Sequence, residues 1–366
     1  MKESPTTAGA NTLAEIVSEP ATWENCLAGL DATGELRELQ ASLSNERELV
    51  FVGCGSSYYL ALAASASWSL ITGGPSRAIP ASEILLFPEL LPRDCSTVLI
   101  SRSGRTSEII EAGAQLRGRN RISALAITCG THTPIEHVAA RTIRLTHADE
   151  KSTVMTRSFT SMLLALQSLA AEKAHNAKFK TAIRGLALEG STKMSEIDST
   201  VRQVVAAQSF EDYVFLGQGP FFGIAQEAML KVKEMSCSYA QCFHTLEFRH
   251  GPKAIVSPET LVTFFLSDSG FESEVSVLQE IKELGAVTFV IANRANATVR
   301  ESADYLIEMS LAVPEVGRAA PFVLPGQLLG FHTGIRKGFD PDNPRHLTRV
   351  VMLGQDRTGD PGRGPD

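Results

Sequence analysis

No stretch of the 366-residue chain holds the ~18 consecutive apolar residues that a membrane helix needs. The opening Met1-Lys2-Glu3-Ser4-Pro5 also lacks the basic segment and apolar run of a secretory signal. The expectation is a cytoplasmic protein with no membrane partner. Cysteine is sparse and scattered. The six residues Cys26, Cys54, Cys95, Cys129, Cys237 and Cys242 form no CxxC pair and no metal-ligand spacing, which fits structural thiols in a reducing compartment and offers no metal site. A basic surplus is missing too. Against 41 acidic residues stand 34 Lys and Arg, a net charge of -7, which argues against a nucleic acid held through its phosphates and favours a small molecule. What is present is ordinary globular composition, 43% hydrophobic and 20% charged, in a chain long enough for two domains of about 150 residues.

A helical leader, roughly Leu13 to Leu43, precedes the apolar run Glu48 to Val52, which ends in Gly53-Cys54-Gly55-Ser56-Ser57 and the Ala-rich stretch Tyr58 to Leu70. That order reads as strand, glycine turn, helix. A second unit follows: strand Ser96 to Ile100, turn Ser101-Arg102-Ser103-Gly104-Arg105-Thr106, helix Ser107 to Leu116, then strands Ile122 to Thr128 and Ala140 to Leu145. Strands alternating with helices predict a parallel sheet covered on both faces. Both turns then recur. Gly53 to Gly217 is a step of 164 residues and Ser101 to Ser267 one of 166, so two different motifs repeat in order at nearly one spacing, the mark of a tandem duplication. The expected divisions are a leader 1–43, a first domain 44–196, a second domain 197–355 and a disordered Gly/Pro-rich tail 356–366, with a helix Ser158 to His175 and a polar segment before the boundary near Ile197.

The first glycine turn lacks the third glycine and the following acid of a dinucleotide site, so no nucleotide cofactor is expected. The turn offers backbone N–H groups around Gly55 at a helix start, with the Ser56 and Ser57 hydroxyls beside them, which suits a phosphate monoester. Ser101, Ser103 and Thr106 form a second hydroxyl cluster at another strand-to-helix turn. Serines at helix starts commonly act as N-caps; two such turns on neighbouring strands point instead to one shared anion. In the second copy Asp268 and Glu272 replace Arg102 and Thr106, and Pro220 replaces Ser56, so one phosphate site is expected, in the first half. The second half carries Glu227, Lys231 and Glu234 at i, i+4, i+7, one stripe of an otherwise apolar helix, and His250 in a turn before Gly251-Pro252. On spacing alone the stripe fits a solvated salt-bridge face, and the histidine a structural role.

Together these residues resemble the tandem sugar isomerase (SIS) domain family. Gly53 to Ser57, Ser101 to Thr106, Glu150 to Thr160, Glu227 to Glu234, Glu247 to Pro252 and Pro344 to Val350 stand in that family's order. The chain is similar to the isomerase half of glucosamine-6-phosphate synthases and to stand-alone SIS-type glucosamine-6-phosphate deaminases. The resemblance implies two flavodoxin-like three-layer α/β sandwiches and an obligate homodimer that takes a hexosamine or hexose 6-phosphate without cofactor. It implies Ser56, Ser57, Ser101, Arg102, Ser103 and Thr106 as sugar-phosphate binders and Thr153 as a backbone contact to the sugar. Glu234 would be the base between carbons 1 and 2, and His250 the ring-opening group, reaching the neighbouring subunit. The segment Pro344-Arg345 would close over the sugar, and Arg349 or Lys231 would stabilise the developing oxyanion.

Two departures shape the expected activity. The chain starts Met1-Lys2, without the synthases' N-terminal cysteine and glutaminase domain, and Arg349 stands where the synthases carry an imine-forming lysine. A guanidinium is a poor amine nucleophile. The expectation is deamination of glucosamine 6-phosphate. The alternatives are a fructosamine-6-phosphate deglycase, a galactosamine-6-phosphate deaminase, an aminotransferase-like isomerase and a non-catalytic sugar-phosphate regulator.

Overall fold

The computed structural model describes residues 7–41, 43, 47–92, 94–118 and 123–352; the predicted tail 356–366 lies outside the described residues. Three helices open the chain, α1 (Ala10–Val17), α2 (Glu19–Thr33) and α3 (Glu35–Ala41), where the sequence suggested one leader. The first sheet takes β1 (Glu48–Gly53), β2 (Ser76–Pro80), β3 (Cys95–Ile100), β4 (Ser123–Thr128) and β5 (Arg141–Arg144) in the order β2-β1-β3-β4-β5, all parallel. Around it lie α4 (Ser56–Thr72), α5 (Ala81–Leu86), α6 (Ser107–Gly118), α7 (Ile135–Val138) and α8 (Arg157–Lys173). Next come α9 (Ala177–Arg184) and α10 (Leu186–Ala207). The second sheet takes β6 (Asp212–Gly217), β7 (Tyr239–His244), β8 (Thr260–Phe265), β9 (Val287–Ala292) and β10 (Tyr305–Glu308) in the order β10-β9-β8-β6-β7, again parallel. Its helices are α11 (Pro220–Ser236), α12 (Phe271–Glu283), α13 (Ala297–Ser302), α14 (Ala319–Phe322) and α15 (Leu324–Arg336).

The two orders are the same once β6 is laid on β1, and the correspondence reaches single residues. α4 and α11 are both 17 residues long, and Gly55 (φ 55, ψ −129) and Gly219 (φ 53, ψ −129) adopt one conformation. Just before them, a Cβ on Gly53 would collide with the backbone of Ser57, and one on Gly217 with that of Phe221, so each strand enters its helix too tightly for a side chain. All six residues of β3 and all six of β8 are buried, as central strands covered on both faces must be.

The sheets face each other across a shared helical layer. α4 packs on α11 and α8, α11 packs on α15, and one apolar cluster runs from Ile16 to Phe331 through both domains. Ile197, where the sequence placed the division, sits inside α10. The stretch after His175 is helical because Met194, Ile197, Val201 and Val204 recur at helical spacing and are buried, a stripe that its polar residues hide in the sequence.

Candidate active site

In the first sheet the chain leaves β1 toward β2 and returns to β3 on the other side, so the crevice at the carboxyl ends of β1 and β3 is the topological switch point, where α/β sheets bind ligands. Both hydroxyl turns of the first domain end there. A cavity of about 250 Å³ opens between them, lined by Gly55, Ser56, Ser57, Arg102, Ser103, Thr106, Thr153, Glu234 and Arg349 from the sequence reading. Cys54, Glu108, Met155, Thr348, Val350 and Val351 complete the wall.

The second turn is braced from within. Ser101, 1% exposed, shares a hydrogen bond with the Thr106 hydroxyl at 3.0 Å and accepts from the Gly104 N–H at 3.1 Å, so it shapes the turn without lining the cavity. Gly104, at φ +63, leaves no room for a side chain against Thr133. Arg102 is not an open cation. Buried at 5% exposure, it donates to Glu150 at 3.1 Å, to the Val154 carbonyl at 3.2 Å and to the Arg349 carbonyl at 3.1 Å. Glu150 also accepts from the N–H and hydroxyl groups of Thr156 and Ser158, which fixes the segment carrying Thr153. Phosphate in this cavity would therefore meet chiefly hydroxyls and N–H groups.

The second domain supplies the charged wall. From α11, Lys231 reaches across the domain seam with no exposed surface, donates to the Ser56 hydroxyl at 3.2 Å, and pairs with Glu234 at 2.5 Å. Glu227 Oε1 lies 3.2 Å from the same ammonium at ion-pair distance. Burial pushes Glu227 up to about 8, against the pull of Lys231. Burial also works against the Lys231 ammonium, yet Glu227 and Glu234 outweigh it and hold its pKa above the ordinary value. Glu234, 17% exposed, is the carboxylate of this trio that faces the cavity. Cys54 is no rival nucleophile: burial, with Glu108 nearby, pushes its thiol up to about 12.

The C-terminal strap 348–351 covers one side. Besides the Arg102 bond, the Val351 carbonyl accepts from the Ser107 N–H at 3.3 Å, and the Arg349 guanidinium pairs at the rim with Asp149 at 2.7 Å. Two of the sequence-derived residues lie elsewhere in this chain. Arg345 is exposed, its guanidinium 4.5 Å from the centre of the Phe339 ring, and His250 is exposed on a turn that does not line the cavity.

The SIS domain matches this chain twice, over residues 42–172 and 211–332, one match for each sheet. The chain belongs to the SIS-domain family. At 27% identity over 359 residues it is similar to the glutamine–fructose-6-phosphate aminotransferase (isomerizing) of Pyrobaculum aerophilum, and at 28% over 361 residues to that of Mycolicibacterium paratuberculosis. Each alignment covers 93% of this chain and 57% of the other protein, so the chain spans little more than half the length of these relatives. Among solved structures it is similar to a glucosamine-6-phosphate deaminase from Thermotoga maritima, with TM-score 0.78 and 28% identity over 94% of this chain and 100% of that one. A tagatose-6-phosphate ketose/aldose isomerase from Escherichia coli shares the fold, with TM-score 0.81 and 23% identity over 97% of this chain and 99% of that one.

In the second SIS domain the corresponding turn is braced by a carboxyl group. Glu274, at the start of α12, accepts from the Ser267 N–H at 2.9 Å and from its hydroxyl at 2.6 Å, and burial pushes it up to about 7. Ser267 is the counterpart of Ser101, so Glu274 braces this turn from within, as the Thr106 hydroxyl braces the first. Asp268 is paired with Arg318 at 2.5 Å. The sequence reading missed the role of Glu274, as it missed Glu150 and Glu108. Only Glu150 carried a signal, since it opens the quoted segment Glu150 to Thr160, but its partner Arg102 is 48 residues away.

Proposed function

We propose that this chain is a phosphosugar aldose–ketose isomerase of the deaminating kind, converting glucosamine 6-phosphate and water to fructose 6-phosphate and ammonia. The observation that carries the reading is the Glu234 carboxylate, paired with a buried ammonium, on the wall of a cavity whose other wall is two hydroxyl-rich turns. Ser56, Ser57, Ser103 and Thr106 would bind the phosphate and the sugar hydroxyls, with Ser101 and Arg102 shaping the walls behind them. In the opened sugar Glu234 takes the proton from carbon 2, giving an enolamine, and returns a proton to carbon 1. The resulting carbon-2 imine adds water and releases ammonia, leaving the ketose.

Arg349 in place of a lysine favours this direction over capture of a ketose by the protein, since a permanently protonated guanidinium does not form imines readily. The likeness to a deaminase over the whole of that enzyme's chain supports the same choice. His250, outside its own chain's cavity, fits a homodimer in which it completes the partner's site and opens the pyranose ring. Mixing inactive Glu234→Gln and His250→Ala subunits should then restore activity through hybrid dimers, and no recovery after verified exchange rejects the shared site.

The reaction itself is tested with a panel of hexosamine 6-phosphates and fructosamine 6-phosphates, each assayed for ammonia and ketose. Glucosamine 6-phosphate should give both in equal amounts. Release of amine from fructosamine 6-phosphates alone would establish a deglycase, and binding without any turnover a regulator.

A further inference from the structure

Segment 149–156 forms part of the cavity through Thr153 and Met155 and has no regular structure of its own. Glu150 fixes its far end from inside. Its near end is held by a residue 136 positions away, Glu15 on α1. Glu15 Oε1 accepts from the Lys151 N–H at 2.5 Å and from the Ser152 N–H at 3.4 Å, and its Oε2 accepts from the Ser152 hydroxyl. Glu15 is 4% exposed and Ser152 1%, so the two Ser152 donors have no water to fall back on. Two consecutive N–H groups bound to one carboxylate set the orientation of the peptide planes that lead into Thr153.

The same helix is gripped at its other end by the chain that becomes the strap. Asp342 accepts from the Asn11 N–H at 3.0 Å, the Thr12 N–H at 2.8 Å and the Thr12 hydroxyl at 2.7 Å, and Asp340 accepts from the Gly9 N–H at 2.7 Å. These carboxylates cap the start of α1, where orphan N–H groups and the helix dipole both favour negative charge. Six residues beyond Asp342 the chain lines the cavity at Thr348. α1 thus joins two walls of the cavity while contributing no residue to its lining.

We propose that Glu15 is a positioning residue of the site: it fixes Thr153 against the sugar, and α1 ties that loop to the base of the strap so that both walls keep one relative placement. What enters the cavity rests on the phosphosugar reading above; the clamp itself does not. A buried carboxylate with three donors is a costly way to hold a loop that had no geometric duty, and a site misplaced by an ångström loses much of its effect.

The test compares wild type, Glu15→Ala and Glu15→Gln in two measurements: steady-state kinetics with glucosamine 6-phosphate, and amide hydrogen exchange at Lys151 and Ser152 without ligand. Glu15→Ala should raise KM roughly tenfold or more with kcat changed less than about threefold. Glu15→Gln, whose amide oxygen still accepts from Lys151, should recover most of the loss. Exchange at Lys151 and Ser152 should accelerate in Glu15→Ala while the β1 amides stay protected, which shows that the fold holds. Unchanged exchange at these two amides overturns the clamp. Accelerated exchange with unchanged KM overturns the positioning role, and so does an equal fall in kcat, kcat/KM and Tm in both variants. If wild type turns over no phosphosugar, the proposed reaction falls, and exchange alone decides whether Glu15 holds the loop.

Discussion

Lys231, buried on α11 of the second domain, donates its Nζ proton to the Ser56 hydroxyl at the first turn of α4, 3.2 Å away. The bond crosses from one half of the duplication to the other. It holds the carboxylate wall and the glycine turn in fixed register, so the spacing between Glu234 and the Ser56 turn is set by helix packing rather than by loops.

The first prediction follows from that register. Glu234→Gln keeps shape and hydrogen bonding but removes proton acceptance, so kcat should fall by ~100-fold or more with the fold intact by circular dichroism. In deuterated solvent the wild-type product should carry label at carbon 1. Near-normal turnover would return Glu234 to a structural ion pair. Lys231→Met should fail differently, leaving the buried Glu227 and the half-buried Glu234 without their cation and costing about 3–5 kcal/mol in denaturant unfolding.

Thr106 and Ser101 should separate in kinetics. Thr106 lines the cavity, so Thr106→Ala together with Ser103→Ala should raise KM for a 6-phosphosugar by ~10-fold or more, with a smaller effect on kcat. Ser101→Ala should act on the turn itself and alter kcat and KM together. Asp268→Ala, in the second domain, should leave both constants alone, and any large effect there would move the anion site.

Arg349 tests the chemistry of the strap. Its guanidinium pairs with Asp149 at the rim, while its carbonyl is held by Arg102. Borohydride added during turnover should trap no sugar adduct at position 349. Arg349→Lys should keep part of the activity and Arg349→Ala should lose about tenfold. Full activity in Arg349→Ala would remove this side chain from the site.

Glu274 predicts a pH effect on stability. Burial raises it from 4.5 to about 7, so between these values the folded chain keeps a proton that the unfolded chain releases. Its contribution is complete below about 4.5 and is lost as pH rises through about 7. Glu274→Gln, neutral throughout, should flatten this decline by about 1–3 kcal/mol in urea unfolding measured from pH 5 to 8. Parallel curves for the two proteins would show that Glu274 is already ionised in the fold.

Much of this was legible in the sequence because both glycine turns demand one backbone shape wherever they recur. Gly53 and Gly217, and the central strands β3 and β8, announce themselves by composition alone. The edge strands β2, β7 and β10 do not, since half-exposed strands alternate too weakly over four to six residues. In the site, the hydroxyl turns were readable from local pattern, whereas the α11 stripe read on spacing alone as a solvated salt-bridge face and only the family resemblance drew Glu234 and Lys231 into the site; spacing gives the face of a helix, not what covers it. Glu15, Glu150 and Glu274 were not readable, because each acts through a partner that only the folded chain brings near, and an acidic residue in a helix or loop looks the same in sequence whether buried or solvated.

The contact between α4 and α11 also limits how the two domains can part. A Cβ on Gly223 would lie 2.6 Å from the Ala63 nitrogen and 2.7 Å from the Tyr59 carbonyl oxygen, so the two helices touch backbone to backbone. Opening the domains like a clamshell would have to part this interlocked seam and the buried Lys231 link with it, whereas close-packed interfaces switch between discrete states and do not stretch. The wall free to part without disturbing that seam is the strap, held by the bonds to its Arg349 and Val351 carbonyls and by the exposed Arg349–Asp149 pair. On the phosphosugar reading, ligand release would then depend on a few residues of the strap, with the helical seam between the two sheets keeping its packing as they part from Arg102 and Ser107.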